Sequence, residues 1–489
     1  MADTYAKLRP AAVWTLFAEI DRIPRGSGNE AAVMAMLEAR AKSKGFSTKR
    51  DAAGNLLIEV PATKGREKAP VVVLQGHVDM VCEKNAGLTH DFMKDPIVPR
   101  VKGGWVVAGG TTLGADNAIG VSMALAAAED PKVAHGPLEI LLTVDEERGL
   151  SGATGIRKGF FTGKLVVNLD SEDDTTLTIS CAGLRESILT ARGSRTAAPG
   201  PSKALEVFVH GLRGGHSGID INKGRGNAIQ VLVRALLAAA DVCDVRLSSV
   251  DGGNKRNAIP REARSTAVVA SAQSAAFEKA VRDAVAGIRT EELADTDAGL
   301  AVEIRPSRAG DPFSAEDTRR ILNLLTSIPH GVVALSQSVP GLVESSSNLA
   351  TVSTEADRVR IACTSRSSLS TSLDLLARRH RALAALSGAQ IEQLPGVPGW
   401  KPDWKSPLLA TTIAAYKRVF GRAPGVKGIH AGLECGVFKQ LAPEIDTVSF
   451  GPDIEGPHSP DERVSIESVE RVWKLLGAVL GALSKGKSR

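Results

Sequence analysis

Residues 71–81 read VVVLQGHVDMV. Four consecutive apolar residues, Val71 to Leu74, mark a strand buried on both faces, as in a parallel sheet covered by helices. The run closes on His77 and Asp79, which share a face in an extended chain because side chains alternate. A buried strand that ends by turning an imidazole and a carboxylate the same way calls for a chemical reason.

The neighbouring sequence extends the pattern. FSTKRD (46–51), NLLIEVPA (55–62), LEILLTVDEE (138–147) and KLVVNLDSED (164–173) read as strands. Helical segments stand between them, notably over 22–45 and in GADNAIGVSMALAAAED (114–130). Short apolar strands alternating with helices predict an α/β domain built on a mainly parallel sheet. From about residue 186 the character changes to α+β, and alternation returns after the loop QLPGVPGWKPDWKSP (393–407). The expected organisation is a discontinuous catalytic domain, 1–185 and 389–489, with an α+β lid or dimerisation domain inserted at 186–388. The Gly/Pro-rich segment GSRTAAPGPSK (193–203) is expected to lie near the crossing. Within the insert, two α+β units of similar plan are expected to succeed one another.

Composition narrows the function. The 489 residues are 43% hydrophobic and 24% charged, with a formal charge of +5, ordinary values for a soluble globular protein. Aromatics make up 4% and no basic cluster interleaves with them, which argues against a nucleic-acid partner. No apolar run approaches the ~20 residues of a membrane span. The N-terminus reads as a short helix carrying charges, without the cationic end and apolar run of a secretory signal. Five scattered cysteines without CxxC spacing suit a reducing compartment, and the cytoplasm is the expected location.

In open α/β sheets, sites form beyond the C-terminal strand ends. Three strands here end in metal-competent residues: His77 and Asp79; Asp145, Glu146 and Glu147; and Asp170. Asp116 lies in the Gly-bearing loop TTLGADNAIG, and His458 follows a late strand in VSFGPDIEGPHSPDE. Taken singly, each is an ordinary cap, turn or loop residue. Together they would crowd acids into one place, and buried charges need partners. Carboxylates from Asp116, Glu147 and Asp170 with one hydroxide carry four negative charges, which two divalent cations would balance. Mixed imidazole and carboxylate ligation suits zinc, with manganese or cobalt as substitutes.

HVDMV, TTLGADNAIG, TVDEERG, VVNLDSED, GGHSG, RNAIPREA, HAGLECG and GPHSPDE occur in this order. In that combination the chain resembles the aminoacyl-histidine dipeptidases. These are cytosolic two-zinc enzymes of a wider family with carnosinases, carboxypeptidase G and succinyl-diaminopimelate desuccinylase. The resemblance runs nearly the whole chain and implies a zinc-exopeptidase-like fold. It implies that His77 and Asp170 bind one zinc, Glu147 and His458 the other, and that Asp116 bridges them through a residue followed by a cis peptide. It makes Asp79 the carboxylate that orients His77, and Glu146 the general base that activates water for dipeptide hydrolysis. His216 becomes an oxyanion donor, supplied in dimeric relatives by the opposite subunit. Asn257 and Arg366 become substrate anchors, while Gly432 and Glu434 line the pocket. A homodimer through the lid domain is likewise implied. The alternative is an N-acyl-amino-acid deacylase or carboxypeptidase of the same wider family, against which the length of the insert speaks. A metal-binding scaffold without catalysis would need neither Glu146 nor Asp79.

Overall fold

The computed structural model describes residues 5, 7–198 and 200–485. The chain divides into two compact units: Met1–Cys181 with Trp400–Gly428 and Leu433–Arg489, and Ala182–Gly399 with Ile429–Gly432.

The first unit is built on an eight-stranded sheet. Its order is Ser47–Arg50, Leu56–Val60, Leu138–Thr143, Val72–His77, Leu165–Asn168, Asp446–Ser449, Thr176–Cys181 and Gly425–Ile429. The four central strands run parallel; Leu56–Val60 and Thr176–Cys181 are antiparallel to their inner neighbours. Val72–His77 and Leu138–Thr143 are buried at every residue, as strands covered on both faces must be. The register pairs His77 with Thr143, Gln75 with Asn168, and Asn168 with Ser449. His77 and Thr143 therefore end level, Asn168 and Ser449 end two residues short of them, and Asp170, two residues past Asn168, emerges along the same edge.

Helix Ala115–Glu129 is composed of small and apolar residues and is buried on nearly every side, as an all-round apolar helix should be. Two glycines let its first turn approach the strands. A Cβ at Gly76 would collide with Asn117 Oδ1, and one at Gly120 with the carbonyl of Leu169. Asn117 Nδ2 donates to that carbonyl at 2.6 Å. A small sheet, ordered Ile454–Glu455, Arg463–Ser465, Trp105–Ala108 and Pro99–Lys102, carries the loop that bears His458.

The second unit holds one nine-stranded sheet. Its path runs Ala301–Pro306, Ser202–His210, Ala263–Ala270, Val245–Gly252, Val343–Glu355, Arg358–Ser367, Gly183–Arg192 and Gln390–Gln393, with Gly331–Leu335 paired to Val343–Glu355. The two α+β units read from sequence are halves of this continuous sheet, joined where Gly252 pairs with Val352. Apolar residues of Ala228–Ala240, Ser274–Glu291, Ala315–Ser327 and Ser370–Ser387 share a single core with it. The segment 193–203, described except for Pro199, is not a crossing: it connects two strands of this sheet. The contact boundaries fall at 181/182 and 399/400 rather than 185/186 and 388/389. Gly183–Arg192 and Gln390–Gln393 pair with each other, which keeps both within the second unit.

His380, in helix Ser370–Ser387, is 0% exposed and neither ring nitrogen is hydrogen-bonded. Burial holds its pKa down to about 4. The unfolded chain takes up this proton at about pH 6.5, so the native state is favoured fully above that value and loses the contribution as pH falls towards 4. Between pH 7 and 5 this amounts to about 2 kcal/mol. Urea unfolding at both pH values should show a smaller pH dependence in His380→Leu than in the parent. An unchanged dependence would contradict the assignment.

Candidate metal centre

The shared edge of the parallel strands brings the chemistry together. His77 closes its strand 1% exposed, with Nε2 3.1 Å from Asp116 Oδ1 and 3.2 Å from Asp170 Oδ1. Asp170 lies two residues beyond Leu165–Asn168. Asp116 sits in the first turn of Ala115–Glu129 with non-helical dihedrals, and its bond to Asn117 is cis. Its second oxygen lies 3.3 Å from His458 Nε2, which is 3.0 Å from Glu147 Oε2. Among the described residues, three groups offer ligand atoms close enough for a metal ion: His77, Asp116 and Asp170; His77, Glu146 and Glu147; and Asp116, Glu147 and His458.

Adjacent residues on a straight strand face opposite ways, so Glu146 and Glu147 can share a site only if the chain turns. Asp145, at φ 54°, makes that turn, with Gly149 and Leu150 also at positive φ. Asp79 holds the turn in place: its carboxylate accepts Glu146 N (3.1 Å), Glu147 N (3.3 Å) and Ser27 Oγ (2.7 Å). Asp79 also faces His77 Nδ1, through its backbone oxygen at 3.2 Å and its carboxylate at 3.4 Å. That contact fixes Nδ1 as the protonated nitrogen and turns Nε2 to the acids.

The electrostatics are those of an acid cluster short of cations. Burial drives the Asp170 carboxyl up to about 6 and raises Glu147. Burial lifts Glu146 well above the usual range, with His77 opposing and Asp170 and Glu147 adding to the rise. Hydrogen bonds to Asp116 and Glu147 hold His458 up at about 11. Burial opposes charge on His77, yet Asp170, Asp116 and Asp79 raise its pKa well above normal. Despite burial, His77, Ser27 and the Glu146 amide keep Asp79 down at about 2. Buried Glu147 Oε1 has no hydrogen-bond partner, and Asp170 Oδ1 faces His77 Nε2. An orphaned acceptor, together with imidazole and carboxylate donors, fits divalent cations.

Of the other expected site residues, Glu434 lies beside this cluster, close enough for its charge to act on Glu146 and His77, and the rest lie in the second unit. Glu434 is fully buried in the first unit; Oε2 accepts from Gln75 Nε2 and Thr143 Oγ1, Oε1 has no partner, and burial pushes its pKa to about 8. In the second unit, His216 Nδ1 accepts the amides of Gly218 (3.2 Å) and Ile219 (3.1 Å). Arg366, 5% exposed, reaches Ser217 Oγ at 3.4 Å and His216 Nε2 at 3.5 Å. Asn257 is exposed, its carbonyl accepting Ser217 N at 2.8 Å. Gly432 is exposed, and a Cβ there would meet nothing within 4 Å. Sequence reading passed over His430, two residues before Gly432 in the motif HAGLECG. Its Nε2 lies 2.7 Å from Ser346 Oγ, and burial beside Arg366 holds its pKa down to about 3. It also passed over Glu462.

A histidine and carboxylate cluster at the ends of parallel strands, with a raised glutamate beside it, is the centre of a metal-dependent hydrolase. The chain belongs to peptidase family M20/M25/M40, whose model matches residues 73–482. It is similar to the cytosol non-specific dipeptidase of Escherichia coli K12, 42% identical over 97% of this chain and 98% of that protein. Among solved structures it is similar to the aminoacylhistidine dipeptidase of Vibrio alginolyticus, with a TM-score of 0.88, 39% identity and 98% of each chain covered. It shares its fold with the aminopeptidase PepT of Bacillus cereus, with a TM-score of 0.56, 16% identity, and 97% of this chain and 99% of that one covered. No helix among the described residues is long and apolar enough to cross a membrane.

His458 and His77 both hold protons at neutral pH in this environment, and ligation requires neutral imidazoles. Metal uptake by the apo protein at pH 7 should therefore release protons. Calorimetric titration with zinc in buffers of different ionisation enthalpy measures this. Buffer-independent heats would contradict it.

Proposed function

We propose that the chain hydrolyses the amide bond of dipeptides, aminoacyl-histidine among them, using two divalent cations, zinc or in its place manganese or cobalt. The observation that carries this reading is the Asp116 carboxylate, whose two oxygens face two different imidazoles, His77 and His458. In this reading His77 and Asp170 hold one cation, Glu147 and His458 hold the other, and Asp116 spans both. When bound, the cations supply Lewis acidity and make water acidic enough to attack near neutral pH.

Glu146 takes the proton of the attacking water and delivers it to the leaving amine nitrogen. Its burial-raised pKa suits a group that must both accept and return a proton. Asp79 orients His77 and fixes the backbone of Glu146 and Glu147.

On the inserted unit, His216, Asn257 and Arg366 bind substrate. The two amides on His216 Nδ1 hold the ring, and in this reading His216 stabilises the oxyanion beside the Arg366 guanidinium. Arg366 is a buried guanidinium that feels the charge of Glu186 but makes no close ion pair among the described residues, which suits a carboxylate-terminated substrate. Gly432 lines the pocket by its backbone, and Glu434, whose buried Oε1 has no partner, is the residue this reading sets to the substrate's free amine. The enzyme works in the cytoplasm as a homodimer through the inserted unit. Edge strand Gly331–Leu335 supports this assembly, since it exposes Val332, Val333 and Leu335. A monomer in sedimentation equilibrium at micromolar concentration would refute it.

Glu146→Gln should lower kcat by ~10²–10⁴-fold while retaining metal, whereas Glu147→Ala should lose metal. Near-normal turnover by metal-loaded Glu146→Gln would remove the general base. A panel of Xaa-His dipeptides, other dipeptides and N-acyl amino acids settles substrate class. Cleavage of only the acylated compounds would replace the dipeptidase reading with a deacylase.

A further inference from the structure

Glu462 closes the motif GPHSPDE and has no task in the dipeptidase reading. Its role rests on that reading for the identity of the metal ligands. It is 2% exposed. Its two oxygens accept four successive backbone amides: Leu113 (2.7 Å) and Gly114 (2.8 Å) on Oε2, Ala115 (2.7 Å) and Asp116 (3.3 Å) on Oε1. Two of these N–H groups precede helix Ala115–Glu129 and two belong to its irregular first turn, and a carboxylate is a good partner for such a row of donors. The capping side chain comes from the loop that carries His458, four residues upstream. One carboxylate thus ties the backbone of Asp116 to the segment of the imidazole facing it.

Arg25 holds the other side of the same turn. Its buried guanidinium donates to the carbonyls of Gly114 (2.7 Å), Val78 (3.2 Å) and Asp79 (3.4 Å). It links the Asp116 loop to the strand end that bears His77. Gly114 has φ +71°, and a Cβ there would collide with this guanidinium and with Met80, so the clamp requires glycine. The clamp spans three of the five ligand segments without touching a ligand atom.

We propose that Glu462, together with Arg25, is a positioning residue that sets the Asp116 carboxylate against His77 and His458 and thereby tunes metal affinity. Glu139 provides the comparison. It is 4% exposed and accepts Thr162 N (2.8 Å), Thr162 Oγ1 (2.7 Å) and Gly163 N (2.8 Å). It performs similar capping work at the opposite end of strand Leu138–Thr143 from the acidic pair.

The test compares Glu462→Gln, Glu462→Asp, Arg25→Lys, Glu139→Gln and Glu147→Ala for zinc affinity by chelator competition, zinc content, urea unfolding and kcat and KM. A carboxamide turns an NH₂ group towards two of the four amides. Glu462→Gln should therefore bind zinc 10–100-fold more weakly, with kcat falling at limiting zinc and KM unchanged. Glu462→Asp, which keeps the charge, should recover part of the affinity. Glu139→Gln should lose stability with parental affinity. Parental affinity in Glu462→Gln alongside metal loss in Glu147→Ala overturns the proposal and leaves the ligand set standing. Parental affinity in both overturns the ligand set. If Glu462→Gln does not fold, folded Arg25→Lys carries the same criterion, and parental affinity there overturns the proposal.

Discussion

The structure turns on the cost of gathering carboxylates where water is scarce. Asp79, Asp116, Glu146, Glu147 and Asp170 converge at one edge of a parallel sheet, beside two imidazoles. Without cations, burial pushes several of these carboxyls towards their protonated forms, and the imidazoles take up protons to compensate. Such a cluster is tolerable only if positive charge enters it. The surroundings meet that need: parallel strands that finish at one edge, a helix opening against the sheet through Gly76 and Gly120, and a turn at Asp145 that brings two adjacent glutamates to one side.

Backbone amides do much of the holding. Asp79 and Glu462 are each spent on N–H groups rather than on ligand atoms: Asp79 fixes the turn that carries Glu146 and Glu147, and Glu462 the segment that carries Asp116. This division lets a ligand carboxylate keep an unpaired oxygen, as seen at Glu147. A ligand already saturated with hydrogen bonds would have little left to offer a cation.

The sheet and its acidic rim were legible in the sequence because parallel strands are continuous apolar runs whose C-terminal ends share an edge. VVVLQGHVD, LEILLTVDEE and KLVVNLD show this directly, and they imply a mainly parallel α/β catalytic fold. What sequence hid is of three kinds. Composition marked 193–203 as a crossing because Gly and Pro signal any surface connection, including one between strands of the same sheet. The two α+β halves of the insert read as separate units because the pairing that joins them, Gly252 with Val352, spans a hundred residues and leaves no local trace. Glu462 and His430 were passed over because a buried cap and a buried neutral histidine are defined by distant partners, Leu113 to Asp116 and Ser346.

The central claim is that the acid cluster is completed by a pair of divalent cations sharing Asp116. Anomalous diffraction from crystals of zinc-supplemented protein, with data on both sides of the zinc edge, tests it most directly. The account predicts two peaks per chain, one beside His77 and Asp170 and one beside Glu147 and His458, with the Asp116 carboxylate between them. A single peak, or peaks remote from Asp116, would contradict it.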